Sequence, residues 1–185
     1  MKLIVQIPCL DKKTIAQTIK DIPKQIPGID KIGILVIDDR SSDKTIQIAK
    51  MLGIEHIIRL SKTRGLSPAF TAGIEIALKL GADIIVNTDG DNQYQGKDIP
   101  ILIQLILDRQ TEMVIGDRQA KTIKEFSFLK KLLHKIGNIV IGQISGLIIN
   151  DTTSGFYAFS KDAAIRLNLK TRFSHTIETI IKGSC

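Results

Sequence analysis

Asp89 and Asp91 stand two residues apart in "TDGDNQ", at the end of an apolar run, with Gln93 two further on. In an extended chain alternate side chains share a side, so the two carboxylates are expected to face one way. Gly90 between them lets the backbone approach a ligand closely. Two carboxylates and the Gln93 amide oxygen are hard donors, of the kind that Mg2+ or Mn2+ accept together with phosphate oxygens. The same spacing also closes ordinary polar turns, so alone it leaves both readings open. An EF-hand is excluded: with Asp89 as the first position, the sixth is Tyr94 rather than glycine and the twelfth is Pro100 rather than glutamate.

A second acidic cluster lies in "VIDDRSSDKT". Ser42 or Asp43 is expected to cap the helix that follows by accepting from its first free amides. That leaves Asp38 and Asp39, adjacent carboxylates that repel one another unless a ligand or cation occupies the space. A carboxylate at this position is able to accept from a nucleobase imide or a ribose hydroxyl. Other phosphate and metal signatures are missing. The sequence contains neither G-x-x-x-x-G-K-[ST] nor a G-x-G-x-x-G after the first strand, and His56, His134 and His175 have no zinc spacing. The Gly-rich, basic first loop of a nucleotidyltransferase has no counterpart in "PCLDKK".

These residues need a scaffold, and the apolar pattern supplies one. "KLIVQI" (2–7), "IGILVI" (32–37), "IEHIIRL" (54–60), "DIIVNT" (83–88) and "EMVIGD" (112–117) are short runs rich in Ile and Val that read as buried strands. Between them apolar residues recur at helical spacing: Ile15, Ile19 and Ile22; Ile46, Ala49 and Met51; Phe70, Ile74, Ala77 and Leu78; Ile101, Leu105 and Ile106. Such alternation predicts an α/β fold with helices on both faces of a sheet. Ligands bind such sheets beyond the carboxyl ends of the strands. The segments that follow the first, second, fourth and fifth runs, "PCLDKK", "DDRSSDKT", "DGDNQ" and "GDRQ", are acidic and turn-forming.

Composition narrows the partners. The chain has 185 residues, 43% of them hydrophobic, enough for one domain with a core. Its formal net charge of +7 suggests an anionic partner. With no Trp and two Tyr there is little aromatic surface on which bases could stack, which argues against nucleic acid. Cys9 and Cys185 are the two cysteines, too few for a disulfide framework or thiolate cage, and a reducing compartment is expected. The start has too short an apolar core for a signal peptide, and "IGNIVIGQISGLII" (136–149) falls short of a membrane span. The chain therefore reads as soluble or peripheral.

In order and spacing, "VQIPCLDKKTIAQTI", "VIDDRSSDKT", "KTRGLSPAFTAGIEIAL", "NTDGDNQYQGKDIP", "VIGDRQ" and "DTTSGFYAFSKDAA" resemble the blocks of family 2 glycosyltransferases, especially the dolichyl-phosphate mannosyltransferase and polyprenyl-phosphate sugar transferase branch. The resemblance covers nearly the whole chain. It implies a GT-A (nucleotide-diphospho-sugar transferase) fold, a three-layer α/β/α sandwich with a mostly parallel central sheet. It also implies a nucleoside-diphosphate sugar as donor, Mg2+ or Mn2+ on the D-x-D segment, and inversion at the anomeric centre. Polyprenyl phosphate is the acceptor class, and the expected place is the cytoplasmic side, at the inner face of the membrane.

Residue by residue, the resemblance implies that Pro8, Asp39 and the backbone of Ile37 line the nucleoside pocket. Asp89 with Gly90 meets the ribose and diphosphate, and Asp91 with Gln93 holds the metal. Arg118 faces the diphosphate, where a guanidinium fork suits its oxygens. Ser154 and Gly155, within "TSGFYAF", lie by the acceptor, a segment that also reads locally as a turn entering a short strand. On this reading Asp91 and Arg118 are the catalytic pair.

The chain departs from the family pattern at identifiable places. Leu10, Asp11 and Lys12 stand where Tyr-Asn-Glu is usual, and Lys13 replaces a further acid. Aromatic stacking and an acidic contact to the donor are thereby lost, and Lys12 reverses the charge. Arg40 stands where glycine is usual, at a tight turn it is expected to strain or narrow, and Gly90 replaces the commoner alanine. Relatives continue beyond the position of Cys185, past a late acidic position that Glu178 resembles. Residues 1–185 are thus expected to form a single GT-A-like catalytic domain, truncated at its carboxyl end; the alternative is a non-catalytic or decayed nucleotide-binding domain. Six Lys or Arg against one acid between Arg118 and Lys135 read either as a solvated helix face or as a basic collar for lipid phosphate and a bilayer surface.

Overall fold

The computed structural model describes residues 1–63, 65–116 and 154–167. In chain order these form β1 (Lys2–Cys9), α1 (Ile15–Asp21), β2 (Lys31–Asp38), α2 (Thr45–Met51), β3 (His56–Arg59), α3 (Leu66–Lys79) and β4 (Ile84–Asn87). A 3-10 turn (Gly96–Asp98) then leads into α4 (Ile99–Leu107), β5 (Met113–Ile115), β6 (Tyr157–Ser160) and α5 (Lys161–Arg166). Each apolar run becomes a strand, and the helical periodicities become helices between them.

The six strands form one mixed sheet in the order β3-β2-β1-β4-β6-β5. The first four are parallel, while β6 runs antiparallel to both β4 and β5. A parallel strand buried on both faces is apolar at nearly every position. β1 fits this, since all its residues after Lys2 are buried. Alternation along β1 feeds two cores. Leu3, Val5, Ile7 and Cys9 pack with Ile15 and Ile19 of α1, Ala49 of α2, and Ile99, Leu102, Ile103 and Ile106 of α4. Ile4 packs on the other face with Ala69, Phe70, Ile74 and Ala77 of α3 and Ala163 and Ala164 of α5. Each fully buried Ile contributes about 1.5–3 kcal/mol, so β1 is the spine of the three-layer α/β/α arrangement.

Two helix faces differ from the sequence expectation. In α4 every residue except Pro100 and Gln104 is apolar, so the sequence does not say which side is inward. The helix buries Ile99, Leu102, Ile103 and Ile106, leaving Ile101 and Leu105 exposed. Met51 closes α2 on its solvent side and is 86% exposed.

Because β6 is antiparallel, its start lies at the edge where β1, β2 and β4 end. Asn87, the last residue of β4, pairs with Tyr157, the first of β6, and Gly116 N after β5 donates to Phe156 O at 2.8 Å. The segment 154–156 therefore borders the carboxyl ends of the parallel strands. Among the described residues no helix is long and apolar enough to cross a membrane.

Candidate functional site

The loops after β1 and β2 are knitted together by Asp11. Its backbone is left-handed, with φ 49°, and its amide donates to Ser41 Oγ at 3.0 Å. Its Oδ1 accepts from the amide of Ser42 at 2.7 Å and from the amide of Asp43 and the Ser42 hydroxyl, each at 3.2 Å. The Ser42 amide is the main reason its carboxyl stays below the usual 3.8, helped by the Asp43 amide and the Ser42 hydroxyl. Neither expected residue caps α2: its N-cap is Lys44, without a side-chain cap bond, and Asp43 Oδ1 accepts from Thr45 N at 2.9 Å in the turn that leads in. Ser42 bonds to Asp11 instead.

Asp38 and Asp39 find partners within the chain. Asp38 is fully buried, with Oδ1 accepting from Ser41 N at 2.8 Å and Oδ2 lying 3.1 Å from Arg59 Nε as an ion pair. A buried carboxylate needs such a partner. Asp39 is buried too: its amide donates to Cys9 O at 2.9 Å, and its Oδ2 accepts from Gly65 N at 2.8 Å. The expected repulsion is relieved in part by the Arg59 charge and by the Gly65 amide. Pro8 and Ile37, both buried, pair across β1 and β2 just before this point. Arg40 carries the expected strain at φ 70°, and its Nη1 donates to Ser61 O at 2.8 Å.

After β4 the chain turns at Gly90 and Asp91 rather than running extended. The two carboxylates consequently meet different neighbours. Asp89 packs against Gly155, where an added Cβ would lie 2.4 Å from its Oδ2. Asp91 Oδ2 lies 3.4 Å from Lys12 Nζ, and its Oδ1 accepts from Gln93 N at 3.2 Å. Thr14 Oγ1 donates to Gly90 O at 2.9 Å, fixing the turn to the loop after β1. The Gln93 residue is exposed.

The start of β6 is clamped from two sides. Gln6, a fully buried polar residue in β1, donates through Nε2 to Asn87 Oδ1 at 2.9 Å, and Asn87 Nδ2 donates to Gly155 O at 2.6 Å. On the other side Gly155 N donates to Tyr94 Oη at 2.6 Å, and the Tyr94 ring stacks on Phe156 with centroids 5.2 Å apart. Ser154 is fully buried, its Oγ donating to Gly116 O at 2.6 Å. Sequence reasoning missed Gln6, Asn87 and Tyr94 as positioning residues. The available signal was polarity: Gln6 and Asn87 interrupt runs otherwise made of Ile, Leu and Val. Arg118, Glu178 and the basic segment 118–135 lie outside the described residues.

Among the described residues no three His, Cys, Asp or Glu side chains converge to cage a metal. Asp91 offers its carboxylate at the turn, and Gln93, joined to it through its backbone amide, is exposed. Buried Thr88 Oγ1 and Asn92 Oδ1, on either side of the D-G-D turn, have no hydrogen-bond partner among the described residues. Unpaired buried oxygens here suit a site completed by a ligand. The set fits Mg2+ or Mn2+ in the mode where a diphosphate and water bring most of the oxygens. Cys9 offers no nucleophile, because burial, reinforced by the Asp38 charge, pushes its thiol up to about 12.

Comparison with known proteins follows the same lines. The chain is 32% identical over 165 residues to the UDP-N-acetylglucosamine–dolichyl-phosphate N-acetylglucosaminyltransferase of Methanococcus voltae, covering 78% of this chain and 65% of that one. It is 26% identical over 176 residues to the undecaprenyl-phosphate mannosyltransferase of Micrococcus luteus, covering 91% and 70%. Among solved structures, glucosyl-3-phosphoglycerate synthase of Mycobacterium tuberculosis in complex with Mn2+, UDP and glucosyl-3-phosphoglycerate superposes with a TM-score of 0.68 at 18% identity. That match covers 90% of this chain and 59% of that one, and it supports the GT-A fold alone. The chain thus spans about two thirds of its curated relatives. The family model for glycosyl transferase family 2 matches residues 4–167, and the chain belongs to that family.

Proposed function

We propose that this protein transfers a sugar from a nucleoside-diphosphate sugar to an acceptor of the polyprenyl-phosphate class, at the inner face of the membrane and with inversion. The observation that carries the reading is the meeting, at one sheet edge, of Asp39 after β2, the Asp89–Gly90–Asp91 turn after β4, and Gly155 before β6. Pro8, Ile37 and Asp39 line the nucleoside pocket, and Asp89 with Gly90 meets the ribose and diphosphate. Asp91 and Gln93 hold Mg2+ or Mn2+, which supplies positive charge to the departing diphosphate when bound. Arg118 faces the same oxygens, and Ser154 with Gly155 borders the acceptor. A phosphate acceptor is already ionised near neutral pH and needs no general base. Relatives that carry polyprenyl-phosphate acceptors in their names support the acceptor class. The basic residues between Arg118 and Lys135 would draw the protein to an anionic bilayer.

A second reading, a family member that binds nucleotide without transferring sugar, is favoured by the lysine ammonium lying against Asp91. Calorimetric titration with UDP- and GDP-sugars in Mn2+ tests the shared first step. Wild type is expected to bind, and Asp91→Ala to bind about tenfold or more weakly. Equal affinities would remove Asp91 from the site. Vesicle binding after substitution of Lys130, Lys131 and Lys135 tests the membrane part, which unchanged binding would sink.

A further inference from the structure

The ion pair between Lys12 and Asp91 is not a chance contact of a surface lysine. Lys12 N donates to Thr45 Oγ1 at 3.0 Å, and Lys12 O accepts from Ile15 N at 3.1 Å, so its backbone is held between α1 and α2. Asp11, just before it, is pinned to the amides of Ser42 and Asp43. The Lys12 side chain then lies over the D-G-D turn: a Cβ on Gly90 would stand 3.1 Å from Lys12 Cγ and 3.3 Å from Lys12 Cβ. Gly90 thereby leaves room for the lysine stem. The ammonium ends 3.4 Å from Asp91 Oδ2, with both side chains about one-third exposed. Two of its three N–H donors can point elsewhere while the third faces the carboxylate.

From this geometry we infer that Lys12 is a resident cation of the site. Its ammonium bridges Asp91 and the donor diphosphate where a divalent metal would otherwise stand, and it competes with that metal for Asp91. The inference rests on the donor reading above and deepens it. Until a divalent metal displaces it from Asp91, the ammonium supplies the positive charge, so a nucleoside diphosphate binds without metal, and metal alone must first compete with Lys12. Lys12 acts on the diphosphate by charge and hydrogen bonding, so no covalent step is involved.

The test is calorimetry of UDP and GDP against wild type, Lys12→Gln and Lys12→Arg, in EDTA and in Mn2+, with circular dichroism confirming that each variant folds. In EDTA wild type and Lys12→Arg are expected to bind one of the nucleotides, with Lys12→Gln weaker by about tenfold; in Mn2+ the gap closes. Without nucleotide, Mn2+ titrated by electron paramagnetic resonance is expected to bind Lys12→Gln about tenfold more tightly than wild type. Binding by wild type only in Mn2+, or equal binding of wild type and Lys12→Gln in EDTA, overturns the role of Lys12 and leaves the donor reading intact. Equal Mn2+ affinities overturn the competition. Failure of both nucleotides to bind wild type in either buffer overturns the donor reading, and this inference with it.

Discussion

Replacing Gly155 by alanine tests how tightly β6 constrains the aspartate turn. The new Cβ would stand 2.4 Å from Asp89 Oδ2, 2.9 Å from its Cγ and 3.1 Å from its Oδ1. Gly155 cannot retreat easily, because its amide is bonded to Tyr94 Oη and its carbonyl accepts from Asn87 Nδ2. Asp89 must therefore give by about 0.6 Å to reach even the shortest contact that real Cβ atoms make. Overpacking of this kind costs about 1–3 kcal/mol. In an Asp89→Ala background the three atoms it strikes are gone, and the same substitution should cost less than about 0.5 kcal/mol. A double-mutant cycle read from urea unfolding should thus give a coupling of about 1 kcal/mol or more. If the single costs add within about 0.5 kcal/mol, the packing of Gly155 on Asp89 does not constrain the site.

Other expectations can be checked alongside. Arg40→Gly removes left-handed strain worth about 1–2 kcal/mol and loses one exposed hydrogen bond plus unfolded-state entropy; a thermal melt should show a gain of up to about 1 kcal/mol, and a clear loss would refute the strain. Cys9 keeps its proton in the folded state to about pH 12, whereas the unfolded chain releases it near 9.0. Its contribution is fully present below pH 9 and is lost as pH rises through that window. Relative to Cys9→Ala, wild type should lose about 1.4 kcal/mol per pH unit there, and a pH-independent gap would contradict the burial argument.

The elements were legible where one physical signal dominated. The Ile- and Val-rich runs gave β1 to β5 because buried parallel strands tolerate little else, and the spacing of Ile15 and Ile19 gave the inner face of α1. α4 shows the limit: an almost wholly apolar helix has no period to read. The insertion of antiparallel β6 between β4 and β5 was equally hidden, since pairing across some 70 residues is settled by the whole sheet rather than by a local pattern. At the strand ends, residue types marked the acidic loops after β2 and β4 but not their internal partners. Arg59 neutralises Asp38, Gly65 N serves Asp39, and Lys12 reaches Asp91 across 79 positions. The expectation that Asp89 and Asp91 face one way assumed an extended chain. The turn at Gly90 and Asp91 separates them, giving one to Gly155 and the other to Lys12.

Sugar transfer itself is the most direct test of the proposed activity. The protein would be incubated with UDP- and GDP-sugars, Mn2+ and polyprenyl phosphate in detergent or vesicles, and the lipid fraction read by mass spectrometry. A polyprenyl-phosphate sugar is expected to form with wild type and to fall by about tenfold or more with Asp91→Ala. Nucleotide-sugar binding by a folded wild-type protein with no glycosylated lipid from any donor would contradict the proposed activity.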